Sequence, residues 1–253
     1  MSKRIVGPWF VGHRGAMGHA PENTLVSFKT AWRMGADAVE CDVHMTKDRR
    51  LIVIHDGTLE RTTNGAGRVF DHPWKQLRSL DAGKWFHPRF RGEKIRRLEE
   101  LLSWLRPKKS RAGRPMRIFI ELKSKPVRYP GLAEAVARAV RRGGFLQRAT
   151  VISFDHDLVR RVKAASPRLQ TGILFSEPLA DPVSRARRVR ADGLFPRYPL
   201  VNKALVDSAH RRGLLVGAWT VNEKADMLRM ARLGVDAVTS NFPDRLIRVL
   251  RRK

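Results

Sequence analysis

The sequence is poor in cysteine, in acidic residues and in long apolar runs, and each shortage excludes a class of protein. Cys41 is the single cysteine among 253 residues, which excludes an intrachain disulfide and a cluster of thiolate metal ligands. No apolar run reaches the ~18 residues that a membrane-spanning helix needs. The opening segment MSKRIVGPWFVG lacks the apolar core and the small-residue cleavage site of a secretory leader. We therefore expect a cytoplasmic globular protein in which Cys41 is a buried thiol.

The scarcity of acidic residues leaves a large positive charge. The chain has 51 Lys and Arg against 24 Asp and Glu, a formal net charge of +27. Three kinds of partner would be attracted by this charge: nucleic acid, an anionic membrane and an anionic substrate. The alternative is a compositional excess of arginine spread over solvated helix faces, since pairs such as Arg141–Arg142 and Arg187–Arg188 fall in separate predicted helices. That spread, and the lack of an aromatic RNA-binding motif, favour the compositional explanation.

Short apolar or β-branched runs alternate with amphipathic helical patterns along the chain. The runs predict strands at residues 9–12, 38–43, 51–55, 117–121, 150–153, 170–174, 193–195, 214–219 and 237–239. The patterns predict helices at residues 24–34, 98–105, 132–142, 157–165, 183–190, 202–212 and 223–233, with Asn23 placed to cap the first of them. Such alternation over about 250 residues predicts an α/β protein, a (β/α)8 TIM-type barrel in a single domain, 1–253.

Two segments interrupt this alternation. Only the residues HMTKDRR separate the second and third runs, and a parallel crossover needs a longer connection. We therefore predict an antiparallel β-hairpin after the second strand, so that one of the nine runs is not a barrel strand. Residues 57–97 form a long aromatic, glycine-containing excursion. An insertion of this length predicts a small subdomain that covers or lines the active face of the barrel.

Charged side chains collect where the predicted strands end. Glu40 and Asp42 are two residues apart on one strand, so their carboxylates share a face. Two carboxylates that face into a barrel repel one another unless a cation lies between them. Oxygen ligands favour a hard cation, Mg²⁺, Ca²⁺ or Mn²⁺. A third strand end, IFIELKSK, supplies Glu121 to complete a site of three carboxylates, and beside it Lys123, which suits a bound anion.

Two imidazoles join this predicted cluster. Folding of the hairpin brings His55 of VIHD back alongside the carboxylates. The first strand ends at His13 and Arg14, so His13 should face His55 across the metal, and the planar guanidinium of Arg14 suits phosphate oxygens. Active sites of such barrels lie at the C-terminal ends of the strands, where these residues converge. For the nearby His19 and Glu22 we expect lesser roles, in lining the entrance and in orienting neighbouring groups.

A resemblance to a known family supports this interpretation. The segments HRG…APENT, ECDVHMTKDRRLIVIHD, ERTTNGAGRV, DAGKWF, IELK, SFD, AWTVN and NFPD occur in this order over nearly the whole chain. They resemble the motifs of the glycerophosphodiester phosphodiesterase family, and the first two together are highly specific. The residues that the resemblance implies are the metal ligands Glu40, Asp42 and Glu121, the catalytic histidines His13 and His55, the phosphate-binding Arg14 and Lys123, and Trp219 in the pocket. In NFPD, Asn241 stands where Asp is common, at a position that we expect to be remote from the chemistry.

The expected activity is metal-dependent hydrolysis of glycerophosphodiesters to sn-glycerol 3-phosphate and an alcohol such as choline or ethanolamine. One divalent cation, Mg²⁺ or Ca²⁺ with Mn²⁺ as a further option, would neutralise the phosphodiester, and the two histidines would act as general base and general acid. We expect His13 to be the base and His55 the acid, while the nucleophile is either water or the glycerol 2-hydroxyl of the substrate.

Two alternatives remain open. One is a lysophospholipase D-type phosphodiesterase that acts on lysolipids at an anionic membrane surface, with peripheral contact helped by the positive charge. The other is a non-catalytic, basic nucleic-acid-binding protein in which the barrel is incidental, although no specific nucleic-acid partner is expected.

Overall fold

The central element of the fold is a closed ring of parallel strands. This computed structural model describes residues 7–250. Its strands are β1 (Trp9–Gly12), β2 (Ala38–Met45), β3 (Leu51–Val53), β4 (Arg96–Arg97), β5 (Arg117–Leu122), β6 (Ala149–Ser153), β7 (Gln170–Phe175), β8 (Gly193–Pro196), β9 (Leu215–Ala218) and β10 (Ala237–Ser240). Within the described residues, β1 pairs in parallel with both β2 and β10, which closes a barrel of eight strands in the order β1, β2, β5, β6, β7, β8, β9, β10. The predicted TIM-type barrel is confirmed.

Helices lie between the parallel strands along the chain. They are α1 (Leu25–Arg33), α2 (Trp74–Leu77), α3 (Leu98–Leu105), α4 (Leu132–Arg142), α5 (His156–Ala165), α6 (Pro182–Arg188), α7 (Lys203–Arg211), α8 (Lys224–Leu233) and α9 (Pro243–Leu250). Their apolar faces pack on the outward side chains of the strands, as Phe28 of α1 does in one buried cluster with Val39 and Cys41 of β2. Helix α9, the four-residue helix α2 and the two-residue strand β4 were not predicted from the sequence.

The inward positions of the strands change from apolar to polar toward the C-terminal end of the barrel. Trp9, Val11, Ala38 and Phe119 belong to an apolar cluster of inward side chains from the barrel strands. The next inward positions on β2 and β5 are acidic, because side chains alternate between the two faces of a strand. The apolar layer therefore forms the floor on which the polar groups at the strand ends stand.

The predicted hairpin after the second strand is confirmed. Strand β3 pairs antiparallel with β2, with Val43 opposite Val53 and Met45 opposite Leu51, and β4 pairs antiparallel with β3. The excursion at about 57–97 contains α2, two short 3-10 helices, and much of an apolar cluster that it shares with the hairpin, including Leu59, Val69 and Leu77. The assignment of the whole chain to a single domain with this insertion stays a prediction.

The expected location of the protein depends on the absence of membrane and leader segments. Among the helices within residues 7–250, none has the length and apolar character to cross a membrane. Residues 1–6, which form half of the segment examined for a secretory leader, lie outside the described residues. The cytoplasmic location stays a prediction.

Candidate active site

Three carboxylates converge at the C-terminal ends of β2 and β5. The parallel register places Asp42 directly opposite Glu121, and Glu40 lies two residues before Asp42 on the same face. One oxygen from each of the three carboxylates lies within 4.8 Å of the others. Glu40 is 4% exposed and Asp42 is 1% exposed. The positions that the sequence predicts as metal ligands therefore lie together.

Burial and mutual repulsion perturb these carboxyl groups. Burial, with the neighbouring carboxylates of Asp42 and Glu121, raises the pKa of Glu40 well above its ordinary value. Burial likewise raises the pKa of Glu121 to about 7, and Asp42 adds to that shift. A hard divalent cation would relieve this repulsion, and three carboxylate oxygens are the donors that such a cation prefers. The residues present therefore fit a divalent metal site.

Lys123 follows β5 and lies against two of the three carboxylates. Its ammonium Nζ is 2.6 Å from Glu121 Oε1 and 2.8 Å from Asp42 Oδ1. Burial by itself would raise the pKa of Asp42, but the charges of Lys123 and Arg14 hold it well below its ordinary value. Asp42 is therefore ionised at neutral pH, and Lys123 adds a positive charge at the edge of the carboxylate cluster.

Arg14 turns the chain sharply after β1 and contacts three acidic groups. Its backbone φ is +48°, and its backbone N–H donates a hydrogen bond of 2.9 Å to Glu40 Oε2. In its side chain, Nη1 donates to Glu22 Oε1 at 2.8 Å and Nε lies 3.1 Å from Asp42 Oδ2. The predicted orienting role of Glu22 agrees with this contact, whereas contact of Arg14 with a phosphate stays a prediction.

His13 lies beside Asn241, a residue that the sequence analysis placed far from the chemistry. Strands β1 and β10 end in register, Gly12 opposite Ser240, so the two following residues are neighbours. His13 Nδ1 is 2.7 Å from Asn241 Oδ1, and His13 Nε2 is 3.9 Å from Glu40 Oε2. Burial and the Arg14 guanidinium lower the pKa of His13 to about 4, so the ring is neutral at neutral pH. The expectation that Asn241 is remote is wrong.

His55 is held by a chain of charged groups that reaches Arg14. Its Nδ1 is 2.5 Å from Asp56 Oδ1, and Asp56 accepts hydrogen bonds from Arg61 Nε at 2.6 Å and Nη2 at 3.1 Å. The same Arg61 donates to both oxygens of Glu22, at 2.9 and 2.7 Å. The sequence analysis missed Asp56 and Arg61, although both lie in quoted segments, VIHD and ERTTNGAGRV, where they could have been weighed.

Asn23 contributes to the site instead of capping α1. Its side chain donates from Nδ2 to Asp42 Oδ2 at 2.8 Å, and its Oδ1 accepts from the backbone N–H of Asp42 at 3.3 Å. The cap of α1 is Thr24, whose hydroxyl oxygen accepts from the backbone N–H of Ser27. The backbone φ of Asn23 is left-handed, +59°, at this contact with Asp42. The prediction of Asn23 as the N-cap is therefore wrong by one residue.

His44 is a further residue that sequence reasoning missed. It is fully buried on β2, two residues after Asp42, with Nδ1 2.7 Å from the Tyr129 hydroxyl and Nε2 3.0 Å from the carbonyl oxygen of His55. Burial lowers the pKa of His44 to about 4, so it is neutral. His44 therefore supports the backbone of His55, and both of its ring nitrogens have partners outside the carboxylate cluster.

A cavity of about 990 Å³ opens beside the carboxylate cluster. His55, Glu121 and Lys123 line it together with an aromatic ring, that of Phe154, which is 45% exposed. Trp219, predicted to line the pocket, packs edge-on to Phe154 with the ring centroids 5.5 Å apart, and its indole N–H donates to the carbonyl oxygen of Phe195. His19 pairs with Asp244 at 2.8 Å, and its expected place at the entrance stays a prediction.

Comparisons with known proteins agree with this geometry. A sequence model of the glycerophosphoryl diester phosphodiesterase family matches residues 13–245. A glycerophosphodiester phosphodiesterase of Caldanaerobacter subterraneus subsp. tengcongensis is 38% identical over 242 residues, 96% of this chain and 97% of that protein. One of Bacillus subtilis is 36% identical over 252 residues, 92% of this chain and 83% of that protein. The structure of an Oleispira antarctica phosphodiesterase in complex with the product sn-glycerol-3-phosphate has a TM-score of 0.84 at 28% identity and covers 97% of each chain. The chain therefore belongs to the glycerophosphoryl diester phosphodiesterase family.

Proposed function

We propose that this protein hydrolyses glycerophosphodiesters to sn-glycerol 3-phosphate and an alcohol. The observation that carries the proposal is the convergence of three carboxylates within 4.8 Å of one another. His13, Arg14 and Lys123 contact this cluster directly. The product-bound relative from Oleispira antarctica supports the choice of substrate class.

Glu40, Asp42 and Glu121 would hold one divalent cation, Mg²⁺, Ca²⁺ or Mn²⁺. When bound, such an ion supplies positive charge to the phosphodiester oxygens as a Lewis acid. Arg14 and Lys123 add two fixed positive charges beside the same cluster, at 3.1 and 2.8 Å from the oxygens of Asp42. Positive groups fixed in a buried site stabilise the charge that develops on phosphate oxygens in the transition state. We assign both residues to phosphate binding.

His13 and His55 would carry the proton transfers. A neutral His13 can accept a proton from the attacking hydroxyl, since a pKa of about 4 leaves one of its two ring nitrogens unprotonated at neutral pH. Burial lowers the pKa of His55, and the carboxylates of Asp42 and Asp56 act against that shift, Asp56 through its bond to Nδ1. In the proposed step, a protonated His55 would donate from Nε2 to the leaving alkoxide. The attacking hydroxyl belongs either to water or to the glycerol C2 of the substrate, the second through a cyclic phosphate.

The test is an assay of several glycerophosphodiesters with coupled detection of sn-glycerol 3-phosphate. We expect release of the product with Mg²⁺ or Ca²⁺, loss of release in excess chelator, and recovery when the cation is restored. Transient cyclic glycerophosphate would identify the 2-hydroxyl as the nucleophile. No release from any diester with any of the three cations would refute the proposal, and a salt-dependent shift with duplex DNA would then favour nucleic-acid binding.

A second candidate substrate is a lysolipid in an anionic membrane. Trp85 in the insertion is 39% exposed and packs edge-on against Phe86, at a centroid distance of 5.6 Å. The exposed side chains of Lys84, Arg89 and Arg91 flank these rings in the chain, and within residues 7–250 no carboxylate forms an ion pair with them. Exposed aromatic rings next to cations are typical of surfaces that bind anionic lipid. Lysolipid hydrolysis on anionic vesicles, compared with neutral ones, tests this candidate.

A further inference from the structure

Asn241 is built into the barrel beside His13. The backbone N–H of His13 donates to the carbonyl oxygen of Ser240 at 2.9 Å. The backbone N–H of Asn241 donates to Asn222 Oδ1 at 3.0 Å, and the carbonyl oxygen of Asn241 accepts from the backbone N–H of Gly18 at 3.0 Å. Backbone hydrogen bonds on both sides therefore hold Asn241 in place, so that its side chain meets the imidazole at a defined position.

The atom that Asn241 presents decides which nitrogen of His13 carries the proton. Asn241 Oδ1 is 2.7 Å from His13 Nδ1, and a carbonyl oxygen can pair only with an N–H. A neutral imidazole with its proton on Nδ1 has its lone pair on Nε2. Nε2 is the nitrogen on the side of the carboxylate cluster, 3.9 Å from Glu40 Oε2. If the amide NH₂ of Asn241 faced His13 instead, Nε2 would carry the proton and could not accept another.

We propose that Asn241 is a positioning residue that holds His13 in the Nδ1–H tautomer and so leaves Nε2 as the proton acceptor of the reaction. The inference rests on the proposed function. In the step that it serves, the O–H bond of the nucleophile breaks, its proton goes to Nε2, and its electron pair forms the new bond to phosphorus. The bond from phosphorus to the leaving oxygen breaks, and His55 protonates that oxygen. Asn241 Oδ1 accepts from Nδ1–H before and after this step, because the imidazolium keeps that proton.

The tautomer can be measured without any turnover. Two-bond ¹H–¹⁵N correlation spectra of the full-length, histidine-labelled protein distinguish a protonated from a bare ring nitrogen, and the resonances of His13 are assigned by their loss in His13→Gln. We expect a protonated Nδ1 and a bare Nε2 in the wild type at alkaline pH. A protonated Nε2 in the wild type would overturn the proposal. This measurement remains valid even if no glycerophosphodiester is hydrolysed, an outcome that would refute only the proposed function.

Kinetics of two Asn241 variants test the consequence. Asn241→Leu removes the acceptor and should lower kcat about 10- to 100-fold, the usual effect of losing an orienting partner of an active-site imidazole, with little change in KM. Asn241→Asp still presents an oxygen to Nδ1, so at alkaline pH it should restore most of kcat. Equal kcat loss in the Leu and Asp variants would contradict the assignment.

Asn202→Leu is the matched control. Asn202 caps α7, where its Oδ1 accepts from the backbone N–H of Leu205 at 2.8 Å, and it has no contact with His13. Its replacement should lower the stability of the protein through the lost N-cap and leave kcat unchanged. If Asn241→Leu, like this control, retains the wild-type kcat, the positioning role is refuted.

Discussion

Arg61→Met should damage both halves of the candidate site, because one guanidinium connects them. Arg61 donates two hydrogen bonds to Asp56, the partner of His55, and two to Glu22, the partner of Arg14, all between 2.6 and 3.1 Å. Methionine keeps most of the apolar stem and removes all four hydrogen bonds. His55 should then lose its fixed orientation, while the carboxylates of Asp56 and Glu22 repel one another.

The size of the effect follows from the exposure of the partners. A hydrogen bond to a charged group contributes about 1.5–3 kcal/mol when buried, but the Arg61 side chain is 44% exposed, which weakens each bond. The Glu22 side chain is 3% exposed and still has Arg14 as a partner. We therefore expect the free energy of unfolding to fall by about 1–3 kcal/mol. A misoriented His55 should lower kcat by about 10- to 100-fold, equivalent to about 1.4–2.8 kcal/mol of transition-state stabilisation.

Denaturant unfolding and steady-state release of sn-glycerol 3-phosphate measure the two effects. Arg68→Met is the matched control, because Arg68 lies in the same insertion and donates two hydrogen bonds to Asp71. The side chains of Arg68 and Asp71 are 59% and 47% exposed. Water screens such an exposed pair, so its loss should change stability little and leave kcat unchanged. Arg61→Lys keeps the charge but lacks the planar fork, so it should be intermediate. A wild-type kcat in Arg61→Met would refute the coupling.

Three other predictions concern the metal, the histidines and the charge. Asp42→Asn and Glu121→Gln should each weaken binding of Mg²⁺ or Ca²⁺ in calorimetric titrations, since each removes a charged oxygen ligand; unchanged titrations in both would exclude the proposed metal site. His55→Ala should lower activity about 10²–10⁴-fold on alkyl diesters but much less on a nitrophenyl diester, because a nitrophenolate leaves without a general acid. His13→Ala should lower activity to a similar degree on both substrates. The reverse pattern would exchange the two roles. If the positive charge attracts anionic membranes, kcat/KM on lysolipid in anionic vesicles should fall steeply as salt is added, because salt screens exposed charges beyond ~8–10 Å. The value of kcat/KM on small diesters should fall much less. Equal salt sensitivity for both substrates would support the compositional explanation.

Local sequence patterns determined the architecture and the direction of most functional side chains. The alternation of apolar runs with helical periods predicts the barrel, and the short segment after the second strand requires an antiparallel hairpin. The period of two along a strand places Glu40 and Asp42 on one face, and the structure has both of them facing the barrel interior with Glu121. These properties depend on neighbouring residues of one segment, so they can be read without knowing how segments meet.

Only the tertiary structure decided which groups contact one another across the barrel. His13 and Asn241 are 228 residues apart and meet because β1 and β10 close the ring in register. Arg61 reaches Glu22 through the path of the insertion, 39 residues along the chain. Local periodicity sets the face to which a side chain points, whereas register and loop path depend on the free energy of packing the whole chain. The contacts of His13 with Asn241 and of Arg61 with Glu22 were therefore beyond what any single segment of the sequence could determine.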